Sequence, residues 1–307
     1  MSLPELAALH RPRCRATVPV LWRARSTVQI GDDVIVDRIT PAHVTWLASL
    51  DGLRTSQQVS DELTIPVADA RRLLRAMVAA GALDDAARLP DAMRWAPPTA
   101  RESVARLFDT ALSTYRDVDV ALRAMDGRGR LAVGVLGRGP LRDAVAAAVE
   151  AAGLVEVADL RKAGIVVLAD GHHPEVPAHF DHDVHDVPHV HVGVLAERAV
   201  VGPLVDPGRT SCLRCAHLHR RDADPAWPLL SVQWSQAVMA MASVPIDPLL
   251  ARLAADVCAL LVRSWADAPD QHDRWADLAY DLRLPDPMPR RVPRPPHPLC
   301  GCLWQAA

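Results

Sequence analysis

Leu131-Ala-Val-Gly-Val-Leu136 leads through Gly137-Arg-Gly139-Pro140 into the alanine-rich stretch Leu141 to Ala152, and this succession decides the fold. An uncharged apolar run of this length reads as a buried strand, the glycines as a tight turn, and the alanine-rich stretch as a helix that stops at Gly153. Val155-Glu-Val157 and Ile165-Val-Val-Leu168 follow as short strands, so the segment from Arg130 onward predicts a βαβ arrangement around a parallel sheet.

The turn stands where nucleotide-binding folds cradle a phosphate, with Gly134, Gly137 and Gly139 between strand and helix. The helix-side glycine of such a loop is replaced by Arg142, and Pro140 removes a backbone N–H donor. Only Leu160 to Gly164 separate the second strand from the third, whereas a full crossover takes about a dozen residues. Gly137, Gly139, Asp159, Arg161, Lys162 and Asp170 are therefore the candidate ATP contacts of a shortened site, and the simpler reading is a packing turn with solvated loop charges.

Further along, Val190 to Val194 and Ala199 to Val201 predict a hairpin, Leu249 to Trp265 a long apolar helix, and the proline-rich Pro285 to Pro298 an extended segment. Toward the N-terminus, Val20–Trp22, Thr27–Ile30 and Val34–Val36 predict three short strands. Three helices follow: one after Thr40-Pro41, one capped by Thr55 or Ser56, and one from Val67 to Ala80 with Ala70, Leu73, Leu74 and Met77 on one stripe. This order reads as a winged helix over about residues 1–90; residues 91–129 are a linker and one helix, and residues 130–307 the α/β domain.

Four cysteines carry the strongest chemical signal. Cys212 and Cys215 form a Cys-x-x-Cys pair, and Cys300 and Cys302 a Cys-x-Cys pair. Two short loops that each offer two thiolates suit a tetrahedral zinc ion, whose closed shell makes the site structural. Cys14 and Cys258 read as inert. Seven histidines from His172 to His191, among Asp181, Asp183 and Asp186, read as a polar surface insertion, with transition-metal binding as the alternative.

A net charge of −3 argues against nucleic acid or anionic membrane as the main partner. Arg71, Arg72 and Arg75 on the third helix invite a DNA reading, but residues 1–90 hold eleven arginines against ten acidic residues. A near-neutral module suits protein or peptide instead, with the second strand or the groove beside the third helix accepting an extended peptide. No signal peptide or spanning segment is visible, so a cytoplasmic protein is expected.

The run Val201-Gly-Pro-Leu-Val-Asp-Pro-Gly-Arg-Thr-Ser-Cys-Leu-Arg-Cys215, then Asp224-Pro-Ala-Trp-Pro228 and His297-Pro-Leu-Cys-Gly-Cys302, resembles the ThiF-like partner proteins of thiazole/oxazole-modified peptide biosynthesis. The resemblance implies an N-terminal winged-helix-like (α+β) module that binds the leader of a precursor peptide. It also implies a degenerate ThiF/Rossmann-like α/β domain with a structural zinc on Cys212, Cys215, Cys300 and Cys302, which presents the peptide to a YcaO-type cyclodehydratase. It implies a homodimer as well. The broken glycine loop and the shortened segment after Asp159 point to a non-catalytic member without ATP or magnesium. The competing classes are an adenylating enzyme and a DNA-binding regulator.

Overall fold

The computed structural model describes residues 9–15, 17–88, 90, 97–169, 186–240, 245–268 and 274–303. The chain divides into two compact units, Met1–Asp126 and Gly127–Ala307.

In the first unit, β2 (Val20–Ala24), β3 (Thr27–Ile30) and β4 (Val34–Asp37) form an antiparallel sheet with β3 in the middle. Three helices follow: α1 (Pro41–Ala48), α2 (Ser56–Glu62) and α3 (Val67–Ala79). The His43 ring reaches back to the Thr40 N–H at 3.0 Å, and Thr55 and Gln58 satisfy each other's backbone at 2.8 and 3.2 Å, so both helix starts are capped from within the sequence. The stripe Ala70, Leu73, Leu74 and Met77 packs with Val28, Ile30, Trp46 and Leu47 into one core. The indole N–H of Trp46 donates to Ser60 at 3.0 Å, which removes the cost of burying that polar atom.

Outside the expected elements, β1 (Pro12–Cys14) pairs antiparallel with β5 (Leu83–Asp85). The single helix expected before residue 130 is two, α4 (Pro98–Tyr115) and α5 (Val118–Arg130). The break comes at Arg116, whose φ of 55° is left-handed, and Asp117 then accepts from the Val120 N–H at 2.9 Å to start the next helix.

The second unit is built on a seven-stranded sheet. In chain order its strands are β6 (Ala132–Gly137), β7 (Val155–Glu156), β8 (Ile165–Ala169), β9 (His189–Leu195), β10 (Arg198–Val205), β11 (Leu278–Arg283) and β12 (Asp286–Pro293). Across the sheet they stand as β12-β11-β10-β9-β8-β6-β7. The expected β6 and the β9–β10 hairpin are present; β6 to β9 are mutually parallel and β9 to β12 antiparallel. The proline-rich tail joins the sheet as β12 at its edge, the place where missing N–H donors are tolerated.

Helix α6 (Gly139–Ala151) and the twenty-residue α9 (Pro248–Asp267) cover one face, packing Leu141, Val145, Ala254 and Val262 on Val133, Val167 and Val192. Each fully buried valine or leucine there contributes about 1.5–3 kcal/mol. On the chain between β10 and α9 stand α7 (Leu213–Ala223) and α8 (Trp227–Ala240). No helix is long and apolar enough to cross a membrane among the described residues.

Candidate functional site

The peptide between β10 and α7 folds into a turn in which the Asp206 N–H donates to the Thr210 hydroxyl at 2.8 Å, and the Ser211 N–H donates to Asp277 at 2.7 Å. Cys212 is then the N-cap residue of α7 and Cys215 sits one turn in, with its N–H on the Cys212 carbonyl at 3.0 Å. Both thiols thus stand in the N-terminal turn of α7.

The C-terminal pair arrives from the far end of the sheet. After β12, His297 makes the turn: its carbonyl accepts from the Cys300 N–H at 2.9 Å and its Nδ1 from the Leu299 N–H at 3.1 Å. Gly301, with φ of 74°, lets Cys300 and Cys302 face the same way. Buried His297 is also fixed from the other side, its Nε2 lying 2.8 Å from an Asp222 oxygen on α7. That contact, followed by Arg221, holds the Asp222 carboxyl below the usual carboxylate range. Neither His297 nor Asp222 announces itself in sequence; the only hint is the position of His297 three residues before Cys300.

The four sulfurs converge. Cys212 and Cys215 are 3.9 Å apart, Cys212 and Cys300 3.4 Å, Cys215 and Cys302 3.4 Å, and all four lie within 4.8 Å of one another. Disulfides, at about 2.05 Å, are excluded. Sulfurs at the corners of a tetrahedron around zinc at about 2.3 Å stand about 3.8 Å apart, which matches this spread. Burial, then the hydrogen bond and charge of Cys215, push the Cys302 thiol up to about 12, and Cys300 is raised by burial and by the Cys212 and Cys215 sulfurs. Four clustered thiols cannot all ionise without a cation among them, and a divalent ion with thiolate affinity supplies it. A cavity of about 530 Å³, lined in part by Thr210, His217 and His189, opens beside the cluster. His217 accepts from the Trp227 indole at 3.2 Å and His189 Nδ1 lies 2.9 Å from the Val187 carbonyl, so both rings already have partners.

The cysteine cluster stands at the end of the strands where β9 begins and β10 ends, since His189 pairs with Val205. The glycine turn is at the opposite end of the strands, where Gly137 pairs with Ala169 at the ends of β6 and β8. There a Cβ on Gly137 would lie 2.0 Å from the Ala169 carbonyl oxygen, and one on Gly134 2.5 Å from the Leu160 side chain. Close packing of neighbouring chain thus accounts for both glycines. Gly139, with φ of 71°, opens α6 and has nothing within 4 Å of its Cβ position. Arg142 is paired with Glu156.

The β7–β8 connection is a single 3₁₀ turn, Leu160–Lys162, and Asp159 is its cap, accepting from the Arg161 N–H at 3.2 Å. Because Ile165 pairs with Val133, Lys162 lies toward the start of β6, roughly 13 Å along the strands from the glycine turn at the usual rise per residue. The structure therefore does not bring Lys162 to Gly137 and Gly139, since the missing crossover helix leaves the connection at the wrong end of the sheet. Asp170 and residues 171–185 of the histidine-rich stretch lie outside the described residues.

In the first unit the structure corrects the expected peptide edge. The second strand, β3, is hydrogen-bonded on both sides and has no edge to offer. The outer edge of β4 is unpaired by any strand among the described residues and runs beside α3, with Arg72 donating to the carbonyls of Asp37 at 2.6 Å and Arg38 at 3.2 Å.

No family model and no curated protein matches the sequence. Solved structures do. The heterocyclase TruD superposes with a TM-score of 0.65 at 16% identity, over 96% of this chain and 43% of its own. A heterocyclase in complex with substrate and cofactor gives 0.63 at 14%, over 95% of this chain and 39% of its own. Escherichia coli MccB, solved with ATP and also with MccA, gives 0.56 at 13% over 95% of this chain and 99% of its own. The chain spans less than half the length of the heterocyclases it matches. The mixed α/β architecture with its seven-stranded sheet is thus shared with these heterocyclases and with MccB.

Proposed function

We propose that this chain is a non-catalytic, zinc-containing ThiF-like scaffold that binds the leader of a precursor peptide and presents it to a separate modifying enzyme, such as a YcaO-type cyclodehydratase. In this reading residues 1–90 form a winged-helix-like recognition module, its elements lying over residues 19–85. The observation that carries it is the unpaired edge of β4 beside α3, where an extended peptide adds a fourth strand and gains main-chain hydrogen bonds, with the groove along α3 choosing its side chains. Among the described residues, Lys162 and Asp159 stand toward the start of β6 and not beside Gly137 and Gly139, which supports a binding rather than an adenylating role. The likeness to a heterocyclase solved with substrate and cofactor and to MccB solved with MccA supports the same theme.

Zinc on Cys212, Cys215, Cys300 and Cys302 supplies a cross-link and no open coordination position, so its chemistry is structural. A second copy of the chain is the proposed partner of α8, which carries no charged residue along its 14 positions and exposes Leu229 and Val232. The decisive experiment is fluorescence anisotropy of the purified protein with a labelled precursor peptide encoded near its gene, run beside an ATP–pyrophosphate exchange assay. Saturable peptide binding with no exchange is expected. Exchange activity returns the chain to the adenylating enzymes, and absence of peptide binding removes the scaffold.

A further inference from the structure

Helix α7 meets the last described segment of the chain along one stripe of side chains. Cys212 and Cys215 stand in its first turn, and His219 and Asp222 follow Cys215 at spacings of four and three, which on a helix is a single face. Each of the four reaches the segment after β12. Cys212 lies 3.4 Å from Cys300 and Cys215 3.4 Å from Cys302, the His219 Nε2 lies 3.0 Å from the Pro295 carbonyl oxygen, and an Asp222 oxygen lies 2.8 Å from the His297 Nε2. The His219 and His297 rings also meet edge to face, with centroids 4.7 Å apart.

His297, 6% exposed, links the two halves of this contact. Its backbone N–H donates to the Cys215 sulfur, its carbonyl accepts from the Cys300 N–H at 2.9 Å, and its Nδ1 accepts from the Leu299 N–H at 3.1 Å. Because Nδ1 accepts, the neutral ring carries its proton on Nε2 and donates it to Asp222. The second oxygen of Asp222 accepts from Arg221 at 2.7 Å, so the carboxylate is itself fixed in direction. The turn that carries Cys300 and Cys302 is therefore aimed by the His297 ring, and the ring is aimed by Asp222.

We propose that Asp222 is a positioning residue for the cysteine cluster: acting through His297, it holds the Cys300–Cys302 turn against α7, so that the four sulfurs are arranged for a tetrahedral ion before the ion arrives. This rests on the zinc reading of the cluster. A turn already held in place loses less conformational entropy on ligation than one that must be ordered by the metal alone. Groups that orient a metal site from behind its ligands typically account for about 10–100-fold in affinity. Asp222 acts through one intermediate and its side chain is 51% exposed, so the lower end of that range applies.

The test is the zinc affinity of the full chain, measured by competition with a chromogenic chelator, together with the visible absorption of its cobalt(II) form. Asp222→Ala should weaken zinc binding about tenfold, and Asp222→Asn, which keeps an acceptor oxygen, should recover most of the loss. His297→Asn, whose side-chain oxygen can still accept from the Leu299 N–H but does not reach Asp222, should match Asp222→Ala, and it decides the matter if that variant does not fold. The double variant should bind no more weakly than either single one, because both remove the same contact. The cobalt forms of all variants should keep the absorption of a four-thiolate site, which shows the ligand set intact while affinity falls. If the parent protein takes up neither zinc nor cobalt, the zinc reading falls and the positioning role with it. If the parent binds metal and the folded variants bind it equally well, or if the two single losses add in the double variant, the positioning role alone is overturned.

Discussion

The Sγ of Cys212 lies 3.4 Å from the Sγ of Cys300, although 88 residues separate them in the chain. Cys215 meets Cys302 at the same distance, so a metal at this point closes a loop holding α8, α9 and the last two strands. The purified protein should contain about one zinc per chain by plasma emission. Cys300→Ser with Cys302→Ser should release it and lower stability by about 4 kcal/mol, the entropy of freeing a loop of this length. A full-length protein without metal, or a double variant melting with the parent, refutes the staple.

What sequence revealed and what it hid divide along physical lines. The succession from Leu131 to Ala152 was legible because a strand buried on both faces and an alanine-rich helix leave strong local patterns. Helix α8 was not, since Trp227–Ala240 has apolar residues all around and no polar face to give a period. The β1–β5 pair is three residues long on each side and is specified by long-range register. The left-handed Arg116 that divides α4 from α5 occupies a place usually signalled by glycine. In the candidate site the cysteines stood out because few residue types ligate zinc in that spacing. The clasp between His297 and Asp222 has no such restriction, and that β2 and β4 have the open edges while β3 has none is a matter of sheet order that no single strand encodes.

Arg128 and Asp267 form a two-pronged ion pair at 2.6 and 2.7 Å, both side chains 4% exposed. Removing one partner leaves a buried charge without its counter-ion. Asp267→Ala should cost about 3–5 kcal/mol by urea denaturation, while Arg128→Met with Asp267→Leu should recover most of the loss because packing replaces a pair whose desolvation was costly. Equal instability of the single and double variants would show that other contacts of these residues govern the site.

Two adjacent aspartates should tilt the acid stability of the first unit in opposite directions. For Asp85, burial acts against ionisation, but N–H groups of Ala87, His10 and Arg11, each at 3.0 Å, hold its pKa below the usual value. Its stabilisation is therefore complete above the unfolded-state pKa of about 3.9 and disappears as pH falls through the lower folded value. Asp84 is raised by burial, partly offset by Arg13 at 2.7 Å, so its contribution is present below the unfolded value and lost as pH rises through the folded one. Urea midpoints measured across the acid range should rise more steeply with pH in Asp84→Asn than in the parent, and less steeply in Asp85→Asn. Parallel profiles in all three proteins would refute this assignment.

The free edge of β4 makes a prediction that separates backbone pairing from side-chain recognition. Successive residues of a strand direct their N–H groups to opposite edges, so of Val34 and Ile35 one donates toward β3 and the other outward. Proline removes that donor. Val34→Pro and Ile35→Pro should therefore behave differently: one weakens the sheet itself, seen as a lower melting temperature, and the other keeps the fold but loses about tenfold or more in affinity for the labelled precursor peptide. Ile35→Ala, which trims a side chain 53% exposed on the strand and keeps every N–H, should bind nearly as well as the parent. If every folded proline variant bound the peptide as the parent does, strand addition at this edge would be wrong, and recognition would have to lie elsewhere on the chain.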